Sequence, residues 1–313
     1  MAMTGVLRPG HAQIRVLDIE EGRKFYRDIV GLVETGVDAQ GRVYFKGWDE
    51  RDHNSVILRE ADQAGIDFVG YKVLDNATLD QLEKGVQEFG IETRRIPAGD
   101  LMETGERVRF RLPSGHEFEL YAEKTKVGNG LGLLNPAPWN PATFDKGMAP
   151  VRFDHCLLYG TNIAQVKELF TKVLGFFLVE RILGPVEAGE PEIGIFLSCS
   201  TRTHDIAFVE YTEPGKLHHL SFRLQSWERV QRASDIMGMN KVAIDIGPTR
   251  HGVTRGETIY AWDPSGNRFE TFCGGYEVYP DHDEPITWTF AEFGHGLDYP
   301  NGKLHDSFLT VVT

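Results

Sequence analysis

The chain has 313 residues, 41% of them apolar and 25% charged, an ordinary globular composition and enough length for two domains. Lys and Arg number 33 against 46 Asp and Glu, and the net charge of −13 excludes the basic face that a nucleic acid or an anionic membrane requires. Cys156, Cys199 and Cys273 are too few and too scattered for a disulfide framework or a thiolate zinc site, and no apolar run approaches the ~20 residues of a bilayer span.

The start, MAMTGVLRPG, has no basic and apolar leader, so a cytoplasmic address is expected. The first block, GHAQIRVLDIEEGRKFYRDIVGL, returns as DHCLLYGTNIAQVKELFTKVLGF, with His11 on His155 and Gly31 on Gly175 at an offset of 144. GERVRFRLPSGHEFELYAE returns as GETIYAWDPSGNRFETFCG, with Glu119 on Glu270 at an offset of 151. Chance does not hold one register across a PSG turn and both its flanks. The chain is a tandem duplication.

Between the copies, GNGLGLLNPAPWNPATFDKGMAP reads as a linker. Gly128, Gly130 and Gly132 follow no buried strand, and Pro136 and Pro138 block the helix that a dinucleotide motif needs. An N-terminal domain of residues 1–145 and a C-terminal domain of residues 146–313 are expected. In the second copy, residues 154–159 read as a strand and 163–174 as a helix, with Val166, Leu169, Phe170 and Val173 at helical spacing. Short strands follow near 176–182, 193–198 and 205–211. A second unit repeats the order from Leu217: strand, helix (227–237), then strands near 242–246, 258–262 and 268–272. Asp-Pro-Ser-Gly at 263–266 is the turn between the last two. The fold class predicted is therefore α+β: four βαβββ units in two tandem domains, each a cupped mixed sheet. The tail after Tyr276 is aromatic-rich and without period.

Of the eleven histidines, eight lie in the second half. His155 stands on the first strand of the third unit, His218 or His219 at the matching place in the fourth, and Glu270 on the last strand. Alternation separates the histidine pair. His218 shares a face with Leu220, Phe222 and Leu224, which reads as core, and is expected to be structural or to support a ligand from behind, whereas His219 shares one with Ser221 and Arg223 and is the ligand candidate. Two imidazoles and a carboxylate suit Fe(II) with open positions, and equally Zn²⁺ or Mn²⁺.

VRFDHCLLYG, KLHHLSFRL, IDIGPTRHGVTRGETIYAWDPSGNRFETFCGG and the N-terminal RPGHAQIRVLD closely resemble the extradiol ring-cleaving dioxygenases of the catechol 2,3-dioxygenase type, in the vicinal oxygen chelate superfamily. The resemblance implies Fe(II) on His155, His219 and Glu270, with acid–base groups at His204, His251 and Tyr260. It implies a catechol and O₂ as substrates, a 2-hydroxymuconic semialdehyde as product, and a homotetramer. A catechol hydroxyl has a phenol-like pKa of about 10, so a metal and a nearby imidazole are needed to ionise it at neutral pH. His251 lies in a turn-forming loop before the strand of Tyr260, and His204 opens the strand at 205–211 as the acid toward O₂. Phe196 and Phe308 are expected as pocket walls, and Cys156 and Cys273 as small core residues.

Two rivals keep the fold. A divalent-metal isomerase or lyase of the glyoxalase kind would carry a further glutamate, where residues Ile206, Ala207 and Phe208 stand here; a metal-free, drug-sequestering module conflicts with the retained ligands. The first half reads as a decommissioned copy serving packing and assembly. An offset of 151 puts His53 on His204, Phe68 on His219 and Arg109 on Tyr260.

Overall fold

The computed structural model describes residues 5–128, 145–279, 281 and 284–313; most of the stretch read as a linker, Gly130, Gly132, Pro136 and Pro138 included, lies outside the described residues. In the first half, β1 (Val6–Val16), α1 (Ile19–Lys24), β2 (Val33–Val37), β3 (Val43–Lys46) and β4 (Val56–Glu60) form one βαβββ unit. β5 (Gly65–Val73), α2 (Asn76–Glu88), β6 (Thr93–Ile96), β7 (Arg107–Arg111) and β8 (Glu117–Tyr121) form the next. The third comprises β9 (Arg152–Gly160), α3 (Ile163–Lys172), β10 (Phe177–Leu183), β11 (Glu192–Ser198) and β12 (Ile206–Glu210). The fourth comprises β13 (Lys216–Arg223), α4 (Trp227–Met239), β14 (Ile244–Arg250), β15 (Gly256–Trp262) and β16 (Arg268–Gly274). The tail, which shows no period in sequence, adds β17 (Ile286–Trp288), α5 (Phe293–Leu297) and α6 (Asp306–Thr310).

Local chemistry explains these elements. Asp75 caps α2 by accepting from the Thr78 amide at 2.8 Å, and Leu79, Leu82 and Val86 form its buried stripe. Val230, Ala233 and Met237 do the same for α4. In the 263–266 turn, Gly266 sits at φ +89°, where only glycine is unstrained, and its amide bonds the Asp263 carbonyl at 3.0 Å.

The sheet orders are β2-β3-β4-β1-β5-β8-β7-β6 and β14-β15-β16-β13-β9-β12-β11-β10-β17. In each, the first strands of the two units lie antiparallel at the centre, β1 on β5 and β9 on β13. The helices cover one face of each sheet, and their apolar stripes join a continuous core running through both halves. Phe25 packs edge-on to Phe269, the Tyr26 hydroxyl donates to Asp263 at 3.0 Å, and the Tyr71 hydroxyl donates to the Asp205 carbonyl at 2.6 Å.

The duplication holds down to single rungs of the ladders. His11 faces Gly70, Gly70 faces Glu119 and Glu119 faces Arg109; His155 faces Ser221, Ser221 faces Glu270 and Glu270 faces Tyr260. Phe68 faces Gln13 as His219 faces Leu157. One expectation is corrected. Ala12 pairs with Val56 and Cys156 with Ile206, so the offset at β4 is 150, not 151. Asn54, not His53, therefore stands in the place of His204.

The first cup is filled by cationic side chains. His11 Nε2 lies 2.5 Å from Glu119 Oε1, Arg107 Nε lies 2.9 Å from the same oxygen, and Arg109 Nη2 lies 2.6 Å from Oε2. Arg109 covers the Phe68 ring at 3.8 Å, and Lys124 Nζ reaches His11 Nδ1 at 2.9 Å. Burial and then Lys124 push His11 down to about 3, so its ring is neutral at pH 7. Removing the carboxylate would leave a fully buried guanidinium beside a second one without their shared anion. Glu119→Ala should therefore lower stability by about 3–5 kcal/mol, read from urea unfolding of the first half.

Candidate functional site

The cup of the second sheet is built on three adjacent strands, β9, β13 and β16. They bring His155, His219 and Glu270 together so that one ligating atom from each lies within 4.8 Å of the others. His155 Nε2 is 3.1 Å and His219 Nε2 3.6 Å from Glu270 Oε2. The other ends of these groups are held. His155 Nδ1 faces Asp154 Oδ2 at 3.1 Å, and Arg152 Nη2 fixes that carboxylate at 2.7 Å. Glu270 accepts from Thr258 Oγ1 at 2.5 Å and from the Ser221 hydroxyl. Burial opposes protonation of His155, but Asp154 and Glu270 outweigh it and lift the imidazole to about 9. Burial likewise opposes ionisation of Glu270, yet His155 and His219 hold its carboxyl well below the usual range. His219 Nε2 is buried with no hydrogen-bond partner. An orphaned imidazole nitrogen beside a second imidazole nitrogen and a carboxylate is a donor set that fits a divalent metal.

The neighbouring His218 corrects the alternation argument. A β-bulge between Leu217 and His219 leaves His218 without a facing residue on β9. The extra residue turns it away from the core of Leu220 and Phe222 and into the cup, stacked on Tyr159 at 4.7 Å and against Phe308 at 4.2 Å.

Around the three ligand candidates stand the remaining expected residues. The His204 ring lies 3.9 Å from that of His155, centroid to centroid. His251 Nε2 is 2.6 Å from the Tyr260 hydroxyl, and its Nδ1 bonds the Leu297 carbonyl. A carbonyl only accepts, so Nδ1 carries the hydrogen and the neutral ring accepts from Tyr260 through Nε2. Burial holds His204 well below its ordinary value, and His251 lowered too, so both rings are neutral. Phe196 meets His204 edge-on at 5.4 Å, and Phe308 meets Tyr260 at 5.0 Å. With Leu157, Ile182, Val209, Phe293 and Leu297 they wall the cavity into which the three ligand candidates face. Ala207 faces Leu157, two residues beyond His155, as Glu270 faces Ser221, two beyond His219. The pseudo-symmetric counterpart of Glu270 is thus a methyl group.

Several residues here escaped the sequence argument. Ser221 and Thr258 lie two positions from His219 and Tyr260, so the same alternation points to them. Glu180 had no local signal. This buried carboxylate accepts from the Thr254 amide at 2.8 Å, the Tyr276 hydroxyl at 2.6 Å and Trp288 Nε1 at 2.7 Å, tying the His251 loop to the tail. Cys156 and Cys273 are buried in the core.

Residues 66–125 match the family profile described as a catechol 2,3-dioxygenase-like N-terminal domain, and residues 152–271 match the glyoxalase/bleomycin resistance protein/dioxygenase superfamily. A metapyrocatechase of Pseudomonas sp. (strain CF600) is 51% identical, with 99% of each chain covered. A manganese-dependent 2,3-dihydroxybiphenyl 1,2-dioxygenase of Geobacillus genomosp. 3 is 30% identical over 95% of this chain and 96% of that one. The crystal structure of the 2,3-dioxygenase LapB from Pseudomonas sp. KL28 superposes with a TM-score of 0.89 at 68% identity, covering 92% of this chain and 99% of that one. Homoprotocatechuate 2,3-dioxygenase from Brevibacterium fuscum, at 23% identity and a TM-score of 0.87 over 100% of this chain and 95% of that one, shares the fold. Identity of this order over nearly the whole length, on the same cupped sheets, places the chain in the extradiol ring-cleaving dioxygenase family.

Proposed function

We propose that the protein cleaves catechol or an alkylcatechol beside its diol with O₂, giving a 2-hydroxymuconic semialdehyde, at one Fe(II) held by His155, His219 and Glu270. The observation that carries this reading is the buried, unpartnered His219 Nε2, aimed with His155 and Glu270 into a cavity where His204, His251 and Tyr260 stand among mostly apolar walls. Bound there, Fe(II) would supply a Lewis acid for the diol and a route for electrons from the ring to O₂. Fe(II) is preferred to Mn(II) on the 51% identity to the metapyrocatechase, although a manganese-dependent relative has 30%. The methyl of Ala207, where an isomerase of this fold would need a carboxylate, favours O₂ chemistry over the glyoxalase kind.

The remaining chemistry belongs to the chain. A catechol hydroxyl that gives its proton to the Tyr260 oxygen releases Tyr260's own proton to His251 Nε2, 2.6 Å away. The Leu297 carbonyl keeps the other nitrogen of His251 protonated, so Nε2 is the basic atom. His204, lying against the His155 ring and neutral at rest, would first take up a proton released by the diol and then return it as the acid for the oxygen-cleaving step. Phe196 and Phe308 orient the ring and exclude water. Residues 146–313 form the catalytic domain. Residues 1–145 form a domain without catalytic metal, whose carboxylate already has two guanidinium partners. The protein works in the cytoplasm as a homotetramer.

The direct test is anaerobic Fe(II) loading followed by catechol and air. A yellow ring-fission product is expected, and a colourless muconate would refute extradiol cleavage. Alanine at His155, His219 or Glu270 should remove bound iron and activity together; full iron content in Glu270→Ala would refute the carboxylate's role. His204→Phe and His251→Ala should keep their iron and slow turnover by roughly 10²–10⁴, with a smaller loss in Tyr260→Phe. Steady-state rates normalised to iron content measure this.

A further inference from the structure

We propose that His218 is a positioning residue, a neutral relay through which the docked C-terminal segment fixes the metal-ready tautomer of His219, so that tail docking and metal binding strengthen each other. This rests on the reading of His219 as a metal ligand.

The argument begins at the Phe308 main-chain oxygen, which only accepts. It takes the Tyr159 hydroxyl at 2.9 Å and His218 Nε2 at 2.8 Å, so the His218 hydrogen is on Nε2. His218 Nδ1 faces His219 Nδ1 at 2.7 Å, a distance at which one nitrogen donates and the other accepts. His218 is buried between aromatic rings, no carboxylate among the described residues bonds it, and the buried guanidinium of Arg268 reaches its own carbonyl at 3.5 Å. Such surroundings keep the ring neutral, with Nδ1 as a bare acceptor. His219 must then donate from Nδ1, which leaves the lone pair on Nε2, the atom aimed at Glu270. The opposite tautomer would aim an N–H at the metal.

The carbonyl that starts this chain belongs to a segment docked on the metal-binding sheet itself. Leu217, next to His218, exchanges both main-chain hydrogen bonds with Thr313, at 2.8 and 3.0 Å. Arg268, two residues before Glu270, donates to the Ser307 and Val311 carbonyls, each at 2.9 Å. The two ligand histidines are thus held differently: His155 by a neighbouring carboxylate, His219 by a neutral ring that depends on the tail. The first half has the same bulge at Asp67, but that residue bonds Gln13, Arg15 and Arg59 and reaches no ligand position.

Fe(II) alone, titrated under argon in competition with a chromogenic chelator, tests the relay. His218→Leu should weaken binding about 10–100-fold, the size of effect expected when a ligand's outer partner is removed. His218→Gln should stay within about 3-fold of wild type, because an amide presents the same acceptor and donor. In the intact wild-type protein, adding Fe(II) should slow amide exchange at Leu217 and Thr313, since the coupling is reciprocal. Wild-type affinity in His218→Leu, or unchanged exchange at both amides, would each overturn the relay. Wild-type affinity in His219→Ala would instead overturn the ligand reading beneath it.

Discussion

A carboxylate at the closed end of a β-cup must find positive charge nearby or lose several kcal/mol to desolvation. Glu119 and Glu270 occupy the same rung of the two duplicated sheets, each wholly enclosed, and each half meets the demand in its own way. In the first, Arg107 and Arg109 bring permanent charge on side chains. In the second, Thr258 and Ser221 offer only hydroxyls, and the balance is left to imidazoles and a metal. Where Glu119 meets Arg107, Glu270 meets Thr258, one rung serving both. Much of the difference between a filled cup and a reactive one follows from these exchanges.

Architecture was legible because duplication repeats its errors and signals alike. The two offsets and the Asp-Pro-Ser-Gly turn located most strands to within a few residues, and the meeting of His155, His219 and Glu270 in one cup followed from pairing the two units. What alternation missed was an insertion of one residue. The bulge at His218 reverses the face a period-two rule assigns, and nothing in the letters LHHLS marks it. The same kind of slip moved Asn54 into the place given to His53. The tail was illegible for another reason. α5 and α6 span five residues each and take their shape from docking, α5 on the His251–Gly252 loop and α6 on β13 and β16, so no local periodicity could announce them.

His251, the proposed acid–base group, stands on a loop that a buried carboxylate holds. Thr254 and Arg255 both adopt left-handed backbone, at φ 59° and 54°, a conformation that costs non-glycine residues free energy. Glu180 holds the Thr254 amide in that geometry while gripping Trp288 and Tyr276. The Leu297 carbonyl then reaches His251 from the far side. His251 is therefore aligned by segments that start more than a hundred residues apart, which is why its role is invisible in its own neighbourhood.

Gly70 bars a simple conversion of the first cup into the second. It occupies the rung that holds Ser221 in the second half, and a Cβ added there would run into the His11 ring. His11 in turn lies where it does because Glu119 and Lys124 grip its two nitrogens. A serine there would require moving the histidine, and moving the histidine breaks its bonds to both Glu119 and Lys124. No single substitution at this rung turns the first cup into the second without a loss of stability. The cup filled by guanidinium groups is locked by its own contacts.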